Sequence, residues 1–144
     1  MNNKIKDSFG NINKNIIITF EKEIGHSLPL TYASFLLKNN GGKPTKDCFR
    51  TKNQEYETDV QFFFGLNSDK IIYDLKENYN MLKSRIPSNT LAVAIDSIGG
   101  FILLNLESGS IFYFDHEVEE QYIVADTFET FVKDMYLVEL EKSI

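Results

Sequence analysis

Between Leu91 and Phe114 the chain passes through three apolar segments separated by two short polar turns, and no other stretch limits the fold as strongly. Leu91-Ala92-Val93-Ala94-Ile95 ends at Asp96 and is followed by Ser97-Ile98-Gly99-Gly100. Phe101 to Leu106 and Ser110 to Phe114 come next, joined by Glu107-Ser108-Gly109. Short apolar runs bounded by turn residues are strands, and a three-residue connection that contains glycine suits a hairpin. Tyr122-Ile123-Val124-Ala125 adds one more strand. The second half of the chain is therefore a sheet.

The remaining periodic segments are helical. Ile17, Phe20 and Ile24 recur at steps of three and four from about Lys14, with Gly25 placed to end that helix in the left-handed conformation. Leu28-Pro29 opens a second helix, because proline suits a first turn whose N–H has no partner. It carries Tyr32, Phe35 and Leu36 on one face and stops at Asn39-Asn40-Gly41-Gly42. A short strand around Asp47–Thr51 and a loop follow, then a strand within Val60 to Gly65. A third helix is expected from about Asp69 to Arg85, with Ser68 as N-cap and Ile72, Leu75, Tyr79, Leu82 and Ile86 as its stripe. The last helix opens at Asp126 or Thr127, with Glu129 completing a capping box. It buries Phe128, Phe131, Val132 and Met135 and frays after Leu140.

Strands cluster instead of alternating with helices. The expected class is α+β, with helices packed on a mostly antiparallel sheet of about five or six strands, or a mixed one. The 144 residues suit a single domain, 1–144, with a recognisable core at about 16–140. At 13% Phe and Tyr, the chain has enough large side chains to fill a core without a disulfide or a metal.

The single cysteine, Cys48, excludes an internal disulfide and fits a reducing compartment. The polar start, Met1 to Lys6, lacks the apolar stretch of a signal peptide, and no segment reaches the roughly 20 apolar residues of a membrane span. A cytoplasmic location is expected. The net charge of −6 argues against nucleic acid as a direct partner. Its distribution is uneven: residues 1–52 hold 9 basic and 4 acidic side chains, residues 53–144 hold 6 and 17. The acidic run from Asp115 reads either as a solubilising surface or as a docking surface for a basic partner.

The ordered set Phe20-Glu21, Ile24-Gly25, Leu28-Pro29, Tyr32, Phe35-Leu36-Leu37 and Asn39-Asn40-Gly41-Gly42 resembles the opening of the SUKH superfamily. That superfamily holds the Smi/Knr fungal cell-wall regulators and many bacterial immunity proteins. Ala94-Ile95-Asp96 with Gly99-Gly100, then Tyr113-Phe114-Asp115-His116-Glu117, then Phe128-Glu129-Thr130-Phe131 resemble its later segments. The tryptophan that many members carry on the aromatic strand is missing, and Phe101 stands near where asparagine often follows the glycines. The resemblance implies a SUKH-like fold.

Cys48 with His26 or His116, oriented by Asp115 or Asp96, is the candidate nucleophile–base combination, and no motif surrounds it. In Asp115-His116-Glu117 only the two carboxylates share a strand face, and no further histidine or cysteine stands at ligand spacing. Paired carboxylates could serve a glycosidase, but 21 acidic residues make chance pairs common. Neither glycine pair precedes the Lys-Ser/Thr of a phosphate loop. The chain is expected to be no enzyme, with no catalytic, cofactor or metal residues.

The function implied by the resemblance is that of an immunity or antitoxin protein. It would neutralise a cognate bacterial toxin with a basic face, such as a nuclease, by direct binding, as a monomer or weak homo-oligomer. Asp96, Asp115, His116, Glu117, Glu119 and Glu120 are the expected partner-binding residues. The alternatives are a scaffold module of the cell-wall-regulator type and a small ligand-binding domain.

Overall fold

The computed structural model describes residues 3–138. Strands β1 (Ile5–Lys6) and β2 (Lys43–Pro44) pair as a ribbon, and between them in sequence lie helices α1 (Lys14–Ile24) and α2 (Leu30–Lys38). A second ribbon joins β3 (Cys48–Arg50) to β4 (Glu57–Asp59). The main sheet begins with β5 (Phe62–Phe63). After a 3-10 turn (Ile71–Tyr73) and helix α3 (Leu75–Leu82) it continues as β6 (Thr90–Ile95), β7 (Phe101–Asn105), β8 (Ile111–Asp115) and β9 (Glu120–Ala125). Helix α4 (Phe128–Asp134) follows. The five strands stand in the order β5-β6-β7-β8-β9, every neighbouring pair antiparallel. The α+β architecture is as the sequence implies, and the sheet is not mixed.

Helix α1 starts where the Asn13 side chain accepts the Ile16 N–H (3.0 Å). It ends where Gly25, at φ +74°, takes the left-handed conformation that glycine adopts without steric penalty. Glu21 then accepts the Leu28 N–H (2.7 Å), fixing the corner into α2. Tyr32, Phe35, Phe63, Phe128 and Phe131 meet mostly edge to face, with centroids 4.8 to 6.5 Å apart, and join the helices to the sheet. Beneath them Leu91 to Ala94 and Ile102 to Leu104 are fully buried.

Asn40-Gly41-Gly42 does more than end α2. Gly42 and Phe63 exchange backbone hydrogen bonds of 3.0 and 2.7 Å, and the Asn40 amide spans the N–H and carbonyl of Leu66. A Cβ on Gly41 would lie 2.7 Å from the Phe63 carbonyl oxygen, and one on Gly42 would strike Lys6 backbone. Only glycine lets three backbone segments close to that distance. The β1–β2 ribbon is thereby tied to the β5 edge of the sheet. Lys6 and Lys43 stand directly opposite each other on it, and with Lys4 they form no ion pair among the described residues.

Three expectations need correction. The third helix begins at Leu75, not Asp69, and its cap is Asp74, not Ser68. The Asp74 carboxylate accepts both Ser68 N–H and Glu77 N–H at 3.0 Å, which holds the approach as a turn and leaves Ile72 exposed. Residues 57–59, read as loop, are β4, because they fold back onto β3 as an antiparallel hairpin, Arg50 opposite Glu57 and Cys48 opposite Asp59. Helix α4 is capped by Thr127 accepting the Thr130 N–H (3.1 Å), not by an Asp126–Glu129 box. It stops at Asp134, after which Tyr136 pairs with Cys48. Leu140 lies outside the described residues.

Candidate functional site

Ile95 pairs with Phe101, Phe101 with Phe114, and Asp115 with Glu120. That register brings the β6–β7 turn (96–100) and the β8–β9 turn (116–119) to the same end of the sheet. One device builds both. In the first turn Asp96 Oδ1 accepts the N–H groups of Ile98 (3.0 Å) and Gly100 (2.7 Å). Its Oδ2 accepts the hydroxyls of Tyr113 (2.6 Å) and Thr58 (2.8 Å). In the second, Asp115 Oδ1 accepts the Glu117 N–H (2.9 Å) and Oδ2 accepts the Tyr56 hydroxyl (2.7 Å). An aspartate at the strand end thus folds each turn back on itself, and a tyrosine from elsewhere holds the aspartate.

The surroundings couple the two. The Tyr56 ring stands 5.3 Å from Tyr113 and 4.8 Å from Tyr122. Gly99, at φ +94°, faces His116, whose Cε1 would lie 3.3 Å from a Cβ there. Gly100 backs onto the Tyr113 hydroxyl so closely that no side chain fits. Asp59 accepts the Ser97 N–H (2.9 Å) and also its hydroxyl. The Tyr56 hydroxyl, and after it the turn amides, hold Asp115 below the usual carboxylate range. The same bond pushes Tyr56 up, whereas Tyr113 is pushed up by burial first and by Asp96 second.

Asp115 and His116 are half-buried, while Glu117, Glu119 and Glu120 are exposed, all on one turn. Asp96 is different. It is 1% exposed and its four hydrogen bonds face inward, so it shapes the site and is not available to a partner. The carboxylates also differ from one another. Glu119 pairs with Arg85 (3.4 Å) and Glu120 accepts the Tyr122 hydroxyl (2.8 Å). The acidic run does not form one patch: Asp126 pairs with Lys52 (2.9 Å), and Glu129 and Asp134 lie on α4. The sequence reading missed Tyr56 and Tyr113, and also Ile98 and Val118, which stand 72% and 56% exposed at the two turns. An aliphatic residue inside a polar turn was the signal available.

The other candidate chemistry stays dispersed. Cys48 lies in β3 and donates to Asp47, and burial pushes its thiol up, away from the thiolate a nucleophile needs. His26 follows α1, half-buried, beside the Ser27 carbonyl. Among the described residues no three metal-binding side chains converge, and no helix is long and apolar enough to cross a membrane.

The sequence pattern of the SMI1/KNR4 family (SUKH-1) matches residues 11–134, from the approach to α1 through the end of α4. The chain belongs to this family. The matched span contains both turns and every residue that holds them. The chain is also similar to the SPbeta prophage-derived uncharacterized protein YokK of Bacillus subtilis (strain 168). The two are 28% identical over 133 residues, which covers 78% of this chain and 68% of that protein.

Proposed function

We propose that this protein is an immunity-type binding protein, which neutralises a bacterial toxin by direct contact and without catalysis, in the cytoplasm. The observation that carries the reading is the two-turn end of the sheet. There this chain, of a family that includes bacterial immunity proteins, presents an acidic surface on which Asp115 shapes the turn and Glu117, Glu119 and Glu120 stand exposed. Acidic side chains there favour a partner with a basic face, and nucleases have one because they bind phosphate backbones. The similarity to a prophage-derived protein is compatible with a mobile toxin–immunity cassette.

Co-expression is the test. Toxin modules encoded beside the gene are induced in a sensitive host with and without this protein. Restored growth, together with a complex that survives gel filtration, supports the reading. Continued killing with no complex for any neighbouring toxin overturns it.

A further inference from the structure

Single exposed aliphatic residues are ordinary on protein surfaces. Ile98 and Val118 are distinguished by what holds them. Each stands two or three residues after an aspartate whose carboxylate binds the turn amides, Ile98 N–H itself in the first turn and Glu117 N–H in the second. Each aspartate is fixed by a tyrosine hydroxyl at 2.6 or 2.7 Å. The turns meet at Gly99 and His116. Such residues lose little further freedom when covered, and that is the condition under which a small apolar contact yields affinity. Around them stand Glu117, Glu119 and Glu120, exposed.

We infer that Ile98 and Val118 are a paired apolar anchor, and that the partner is a protein surface with an apolar recess rimmed by lysine or arginine. The inference rests on the binding reading above and gives it a contact. Charge selects this occupant over a second copy docked end to end, since like ends would set glutamates against glutamates. It also divides the work. The aliphatic pair, desolvated in the complex, governs dissociation, and the carboxylates govern the rate of approach.

The experiment measures binding of the full chain to an inactivated toxin module encoded beside the gene, by surface plasmon resonance. Ile98→Ala and Val118→Ala are each expected to speed dissociation about tenfold or more, with association within about twofold. Glu117→Lys is expected to slow association several-fold and flatten its salt dependence. Leu30→Ala removes an aliphatic side chain that is 84% exposed on α2, and should bind as wild type. Unchanged amide exchange at Ile98 and Glu117 confirms intact turns. If both anchor variants dissociate like wild type, or Leu30→Ala does equal harm, the anchor is overturned while the binding function stands. If the unaltered chain binds no such module, both fall together.

Discussion

The β6–β7 and β8–β9 turns use the same device at different depths. Asp96 is sealed beneath its turn with four donors, whereas Asp115 keeps one side toward solvent and holds one tyrosine and the turn backbone. The difference separates two roles. The deep copy ties β4, β6, β7 and β8 together through Thr58, Gly100 and Tyr113, so it belongs to folding. The shallow copy shapes a surface and can be altered while the fold persists.

The largest effect is expected from the deep copy. Asp96→Ala leaves the Tyr113 and Thr58 hydroxyls and the Gly100 N–H without their acceptor, and should cost about 3 kcal/mol in chemical denaturation. Asp96→Asn keeps one acceptor, and the rotating hydroxyls can adapt to its amide, so its loss should be smaller. Tyr113→Phe is next, at about 1 to 2 kcal/mol, because the carboxylate loses one of four donors while the ring packing is kept. Asp115→Ala should cost less than about 1 kcal/mol but raise amide exchange at Glu117 and Val118, where the turn opens. Equal losses at Asp96 and Asp115 would erase the distinction.

The finest test is a titration. A carboxyl held below its ordinary value contributes stability above the unfolded value of about 3.9 and loses it as pH falls through the folded value. The Asp115 turn should therefore be unchanged by NMR from pH 7 down to about pH 4 and open only below that. Tyr56→Phe removes the largest cause of the depression, so Asp115 should titrate closer to the ordinary range. If its midpoint does not move, Tyr56 is not the residue that holds it.

What could be read in the sequence follows the range of the forces involved. β6 and β7 declare themselves because Leu91 to Ala94 and Phe101 to Leu104 are continuously apolar, and α1 because its stripe and Gly25 agree. The start of α3 misleads, since Ile72 fits the periodicity while two hydrogen bonds to Asp74 decide the boundary. Asp96 ends an apolar strand at a polar turn and so looks exposed. Its burial depends on Thr58, 38 residues away, and the hold on Asp115 depends on Tyr56, 59 residues away. No local pattern marks such pairs. Five of the six residues expected to meet a partner do lie together, because they are neighbours on one turn and need no long-range contact to be so.

The glycine junction at Gly41 and Gly42 has a consequence beyond turning the chain. By closing the lysine ribbon onto β5, it fixes positive charge at one edge of the sheet while the glutamates of the β8–β9 turn occupy the other. The lysines of the ribbon and the glutamates of the β8–β9 turn thus stand toward opposite edges of the sheet, and that separation of charge is set by backbone contact. A cationic surface within a Debye length, about 10 Å at 0.1 M salt, would exert a torque on the molecule and swing the glutamate edge forward before contact.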